Sequence, residues 1–344
     1  MMRMTVLASG SKGNSTVISS TRTRVLVDAG LSCRELLKRM SIAGEDPTRL
    51  DAILITHEHQ DHIAGLSVLA RRLNIPVFFT EPTHRAWVRM LTPRTTMTYA
   101  KWLDHVQQEK EARAAAVAAN ASVSEISAQS EAADLNRSDD VNATLELPVD
   151  PDPVDPDEED LCGPESQQAA TSKPDPTNLP AVEYFHAGTR FSIGDIDITP
   201  FTIPHDAADP CGFVFESEGI RMALATDLGY MPPNVKAALK RIDVLLLESN
   251  HDLEMLRDGP YPWSVKQRVL SRVGHLSNDA TAEFLQKDYD GGASWIVLGH
   301  LSESNNAPEL ARLAAEQALR NQPTLLGNRV VLAYQGTPLE PITL

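Results

Sequence analysis

The chain has 344 residues, a formal net charge of −16 and 42% apolar side chains, enough for one large domain or two ordinary ones. Its three cysteines, Cys33, Cys162 and Cys211, form no CxxC pair, which argues against a disulfide framework and fits a reducing compartment. No run reaches the roughly 18 apolar residues of a membrane helix. The first 28 residues alternate polar and apolar without a signal-peptide core, so the expectation is a cytoplasmic protein.

In chain order, Met4–Ala8 and Arg24–Asp28 are predicted strands. The run Ser9-Gly10-Ser11-Lys12-Gly13-Asn14 between them is either a hairpin turn or a cradle of N–H groups and hydroxyls for an anion. Glu35–Met40 reads as a short helix, Asp51–Thr56 (DAILIT) as a buried strand, Ile63–Leu73 as a helix and Pro76–Phe79 as a strand. Residues 104–180 then break the pattern. They lack Phe, Tyr and Trp and hold 18 Asp/Glu against 4 Lys/Arg, which leaves the rest of the chain at only −2. A segment of that composition cannot bury enough apolar surface to offset its ordering entropy. The expected organisation is one domain over 1–344, interrupted by this acidic, disordered insertion, with a helical start at 109–119 and the role of a solvated spacer. A near-neutral remainder leaves room for an anionic substrate.

After the insertion, Phe191–Ile203 alternates like a hairpin strand, and Gly212–Glu216 and Met222–Thr226 read as strands. Val235–Arg241 (helix), Asp243–Glu248 (strand), Asn278–Gln286 (helix), Trp295–Gly299 (strand) and Pro308–Asn321 (helix) complete a layered α/β pattern with no repeat of fixed period.

The densest chemical signal is Thr56-His57-Glu58-His59-Gln60-Asp61-His62, directly after the DAILIT strand. Two residues apart on extended chain, His57 and His59 share a side. Asp61 and His62 open the following helix and face back over the strand end. Three imidazoles and a carboxylate in so short a span supply two metal half-sites, of a donor set suited to zinc or manganese.

This HxHxDH pattern resembles the signature of the metallo-β-lactamase superfamily, which implies an α/β fold of the αββα sandwich type with metals at strand ends. The resemblance implies a distant third histidine, a bridging aspartate and a last histidine. His205 after TPFTIP, Asp227 after MALAT and His300 after WIVLG fill those places. The implied assignment is His57, His59 and His205 on one metal, Asp61, His62 and His300 on the other, and Asp227 between them. Asp28, ending VLVD, would hold the histidine loop from behind as a hydrogen-bond acceptor.

Fold does not fix function. The motifs SGSKGN, ESNHD, YPWSVKQR, GHLSN and HLSESNN together closely resemble the YycJ/WalJ group of bacterial metallo-β-lactamase-fold proteins, related to the tRNA 3′-processing branch. Gln60 stands where that group has Ser, and the acidic insertion departs from its pattern. What the group implies is a dinuclear phosphodiesterase or nuclease with two divalent ions (Zn²⁺ or Mn²⁺), acting as a 5′-to-3′ exonuclease on DNA rather than RNA. A hydroxide bridging the metals would be held by Asp227 and oriented by Asp61. His275, tuned by Glu248, is the expected catalytic acid. Ser9, Ser11 and Asn14 in the first loop, with Ser302 and Asn305 after the last histidine, are the expected substrate-binding groups. Lys266, Arg268 and Arg272 are either phosphate contacts or a solvated basic face. A small cyclic-phosphate phosphodiesterase and a glyoxalase-II-like ester hydrolase are the alternatives. A regulatory module with structural metals fits poorly with a full ligand set.

Overall fold

The computed structural model describes residues 1–92, 103, 107, 175–320 and 327–344. Met1–Thr92 and Pro174–Leu344 form one compact unit. Most of the 104–180 insertion, its proposed helical start at 109–119 and Cys162 lie outside the described residues.

Among the described residues, fourteen strands form two seven-stranded sheets. The first runs β14 (Ile342–Thr343), β1 (Arg3–Ala8), β2 (Ser15–Ser19), β3 (Arg24–Val27), β4 (Ala52–Leu54), β5 (Val77–Phe79) and β6 (Val182–Tyr184). The second runs β13 (Arg329–Leu332), β12 (Trp295–Gly299), β11 (Val244–Glu248), β10 (Ile220–Ala225), β9 (Cys211–Ser217), β8 (Ile196–Thr202) and β7 (Phe191–Ile193). Both sheets have the same plan. Three antiparallel pairings, β14/β1/β2/β3 and β7/β8/β9/β10, lead into three parallel ones, β3/β4/β5/β6 and β10/β11/β12/β13. No sequence period announces this repeat of architecture.

The sheets pack face to face, and helices cover both outer faces. Strand alternation shows why. On β11, Val244 and Leu246 enter the core between the sheets with Met4, Val27, Phe213 and Val297. Leu245 and Leu247 point the other way, onto α5 (Pro233–Ala238), α8 (Asn278–Lys287) and α9 (Pro308–Leu319) through Val235, Phe284 and Ala315. The outer face of the first sheet packs Leu26 and Ile53 on α1 (Cys33–Ile42), α3 (Leu66–Leu73) and α4 (Glu81–Leu91) through Leu36, Leu69 and Trp87. The αββα sandwich is therefore what the chain forms.

Several boundaries differ from the sequence reading. The predicted helix Ile63–Leu73 is two pieces, α2 (Gln60–Ile63) and α3. The break is at Gly65, where a Cβ would lie 2.1 Å from the Leu31 carbonyl. Strand β2 was not predicted because all five of its residues are buried and no alternation shows. Helix α4 was also missed. Thr80 caps it by accepting from the Thr83 N–H, and Pro82 sits in its first turn, both readable start signals. The chain returns at 175–178 against α3, where Ser67 donates to the Pro176 carbonyl and Arg71 to those of Asp175 and Asn178.

Candidate metal centre

At the C-terminal ends of β3, β4, β10, β11 and β12 the chain turns sharply. Asp28, Asp227 and His300, each just past a strand, have φ of 61°, 63° and 54°. Non-glycine residues hold this left-handed conformation only at a cost of about 1–2 kcal/mol, so the surroundings must enforce it. Gly30 makes another close approach possible. A Cβ there would sit 1.7 Å from the Asp61 carbonyl oxygen and 2.6 Å from the Asn14 amide nitrogen. Gly30→Ala is therefore expected to cost about 3 kcal/mol or more in a denaturant melt. Wild-type stability would show that the two loops can part freely.

The turns bring His57, His59 and His205 together as one group, and Asp61, His62, Asp227 and His300 as a second. Within each group the possible ligand atoms lie within 4.8 Å of one another. Hydrogen bonds assign the imidazole tautomers. Asp28 accepts from His62 Nδ1 (2.8 Å) and from the Thr56 hydroxyl (2.8 Å). That hydroxyl, its own proton committed, accepts from His57 Nδ1 (3.0 Å). The Gly274 carbonyl accepts from His205 Nδ1 (3.2 Å), the Asp206 carbonyl from His59 Nε2 (3.2 Å), and Glu248 from His300 Nδ1 (3.0 Å). Each of the five rings thus keeps one nitrogen lone pair, Nδ1 in His59 and Nε2 in the others, and these are the atoms that converge.

The remaining atoms supply the test of fit for a cation. His57 Nε2, His300 Nε2 and Asp227 Oδ2 are buried and have no hydrogen-bond partner. Orphaned buried polar groups are costly and rare. Three of them at the meeting point of imidazoles and carboxylates suit borderline divalent ions. The residues present fit two such ions.

The electrostatics agree. Burial opposes charge on Asp61, but His62 and His300 outweigh it and hold the carboxyl well below its usual range. Burial likewise opposes charge on Asp227, and His300 and His62 overcome it. Burial disfavours the His62 imidazolium, yet Asp227, Asp61 and Asp28 raise its pKa well above the ordinary value. His300 is raised in the same way, against burial, by Asp227, Asp61 and Glu248. Desolvation pushes His57 well down and His205 down. In metal-free protein the surrounding carboxylates therefore favour the protonated forms of His62 and His300, whose extra protons a cation must displace. Metal titrations in buffers of different ionisation enthalpy should report proton release near pH 7. Because both pKa values are raised, release should shrink as pH climbs through them; none at pH 7 would mean neutral rings in the apo state.

Glu248, fully buried, ties the centre together. Its Oε1 accepts from His275 Nδ1 (2.7 Å) as well as from His300, and its Oε2 accepts from the Leu228 N–H (2.5 Å) beside Asp227. His275 is half-exposed at the rim, its Nδ1 4.0 Å from Asp227. His251, in the same loop region, is buried with neither ring nitrogen bonded, and desolvation pushes its pKa down to about 4.

The expected substrate-binding residues sit differently. Ser9 is buried and its hydroxyl accepts from the His300 N–H (2.7 Å). Asn14 is buried and donates to Asp61 Oδ2 (3.1 Å). Ser302 and Asn305 are buried in one turn, the hydroxyl accepting from the Asn305 N–H. Ser9, Asn14 and Ser302 are thus engaged inside the protein, whereas Asn305 Oδ1 is buried without a hydrogen-bond partner. Ser11 alone is exposed, at the loop tip. Of the basic residues, Lys266 is buried with Nζ donating to the Arg257 and Gly259 carbonyls, Arg268 pairs with Asp206, and Arg272 stacks 4.4 Å from the Tyr230 ring centre. Sequence reasoning also missed a buried latch. Asn278 donates to Asn306 Oδ1 (2.8 Å), Asn306 to the Ser249 carbonyl (2.8 Å), and Asn250 to the His300 carbonyl (2.9 Å). It joins the ESN, LSN and SNN motifs.

A family model described as the metallo-beta-lactamase superfamily matches residues 8–300. Exodeoxyribonuclease WalJ of Streptococcus pneumoniae is 30% identical over 311 residues, 90% of this chain and 86% of that protein. Exodeoxyribonuclease YycJ of Bacillus anthracis is 30% identical over 323 residues, covering 93% and 90%. Among solved structures, the metallo-beta-lactamase fold protein YhfI from Bacillus subtilis matches with a TM-score of 0.55 at 13% identity, over 99% of this chain and 100% of that one, a likeness of fold.

Proposed function

Since this chain belongs to the metallo-beta-lactamase superfamily, we propose that its histidine-rich centre hydrolyses phosphodiesters and that its substrate is a DNA end, degraded from 5′ to 3′. The family and the exodeoxyribonuclease-named relatives make it a metal-dependent hydrolase of the nuclease kind. The observation that carries the reading is the set of five imidazole lone pairs converging on Asp61 and Asp227 beside a sixth imidazole, His275, held by Glu248.

Two divalent ions bound there, zinc or manganese by donor type, would offset phosphate charge and lower the pKa of a water from about 16 to about 7. His57, His59 and His205 would hold one ion, Asp61, His62 and His300 the other, with Asp227 shared. Asp28 and Thr56 fix the ring orientations. With Nδ1–H committed to Glu248, the imidazolium form of His275 carries its second proton on Nε2 at the rim, gives it to the leaving sugar oxygen, and is left as the neutral Nδ1–H ring. Among the described residues no helix is long and apolar enough to cross a membrane. A cytoplasmic location, reached by DNA and free of disulfides, suits this role.

The test is metal-loaded protein with 5′- and 3′-labelled single- and double-stranded DNA, and bis(p-nitrophenyl) phosphate alongside. Stepwise loss from the 5′ end is the expected result. Turnover of the small diester without polymer cleavage would replace the nuclease reading by a small-molecule phosphodiesterase.

A further inference from the structure

Beyond the centre, a cavity of about 290 Å³ opens at the C-terminal ends of β12 and β13, lined by Leu301, Ser302, Pro308, Ala333, Tyr334 and Gly336 among others. Its lining adjoins the loop that carries the metal-centre residue His300. Leu301 and Ser302 follow His300 directly. Ser9, also in the lining, accepts from the His300 N–H (2.7 Å) and donates its own N–H to the Tyr334 carbonyl (3.2 Å). Leu301, Pro308 and Ala333 form apolar walls and Tyr334, 45% exposed, an aromatic one, while the polar lining residues Asn306 and Gln335 are engaged with Asn278 and with the Lys12 N–H and Gly13 carbonyl. Glu303 at the edge is paired with Lys12 (2.8 Å), which moderates its repulsion of an anion. A slot of this size with apolar and aromatic walls is at the small end of ligand sites and has room for one ring system.

We propose that this slot binds the nucleoside joined to the phosphodiester at the metals, its base stacked on Tyr334. The proposal rests on the phosphodiesterase reading of the centre and adds the subsite that makes a nucleotide a better ligand than a bare phosphate. Apolar walls with few polar atoms select a base face over a base edge, so the slot tolerates all four bases. That is what degradation without sequence preference needs.

The experiment is calorimetric binding of thymidine 5′-monophosphate and of inorganic phosphate to manganese-loaded protein. Stacking of one base on an aromatic ring is worth roughly 5- to 150-fold in affinity, so the nucleotide should bind at least about tenfold tighter than phosphate. Tyr334→Ala should cut that ratio to within about twofold. Gly336→Leu should do the same by filling the slot. A Cβ at position 336 meets no atom within 4 Å, so a side chain can start there without a backbone clash. Metal content and thermal melting confirm that both are folded. Equal binding of the two ligands by the wild type, or a ratio that neither variant lowers, overturns the slot. The two proposals fail separately. Tight nucleotide binding without DNA degradation would keep the slot and remove the nuclease, while DNA degradation with a flat ratio would do the reverse.

Discussion

Asp227→Ala should emerge from purification with the second cation missing and with kcat/KM on bis(p-nitrophenyl) phosphate at least ~10³-fold down, about 4 kcal/mol of transition-state stabilisation. The carboxylate lies 3.4 Å from His62 Nε2 and 3.6 Å from His300 Nδ1, and its Oδ2 has no other partner. The other buried carboxylates among those rings are committed, Glu248 to His275 and His300 and Asp28 to His62 and Thr56. Alanine also tests the backbone, because φ at this position is 63° and a plain Cβ is strained there. Asp227→Asn separates the two effects, since asparagine tolerates that conformation and keeps the shape while losing the charge. Both variants should lose metal, Ala with a lower melting point as well. Full occupancy and normal turnover in the asparagine variant would remove Asp227 from the shared position.

His275→Ala should keep both cations and lose about 10²- to 10⁴-fold in kcat on DNA, the range for one general acid. The leaving group provides an internal control. A sugar alkoxide needs a proton as the bond breaks, whereas p-nitrophenolate leaves readily without one. The same variant should therefore lose much less on bis(p-nitrophenyl) phosphate. An equal loss on both substrates would make His275 a binding or metal-holding residue, and it does lie close enough to His205 and Asp227 to join a ligand group. Loss of metal from the variant would settle on that alternative, and DNA cleavage at the wild-type rate would end the acid assignment. Glu248→Gln is a different perturbation, because Glu248 also orients His300. It should weaken metal retention as well as turnover.

The parts of the centre legible in the sequence were those whose chemistry and spacing are local. His57, His59, Asp61 and His62 fall on one strand-to-helix turn, so their proximity needs no tertiary knowledge. His205, Asp227 and His300 were placed by family resemblance, each behind an apolar run that marks a strand end. Illegible were the partners with no side-chain signature, the carbonyls of Asp206 and Gly274 that set two histidine tautomers. Serine and asparagine are ambiguous for a physical reason. Ser9, Asn14, Ser302 and Asn305 offer the same donors to a phosphate as to a neighbouring loop, and only burial distinguishes the two uses. In Lys266 the aliphatic stem is buried and the ammonium caps carbonyls, an outcome that charge counting does not anticipate.

The Ser9–His300 contact spans 291 positions, and that has a consequence for the order of events during synthesis. The HxHxDH histidines leave the ribosome early, while His300 and the loop that aims it follow on the order of ten seconds or more later. Until β12 docks beside β11, the second cation lacks a ligand and Glu248 lacks one of the two rings it orients. A growing chain can offer His57 and His59 to a cation yet has no complete centre for hydrolysis. Hydrolytic capacity arrives only with the finished second sheet, so truncated products of this gene would be poor nucleases.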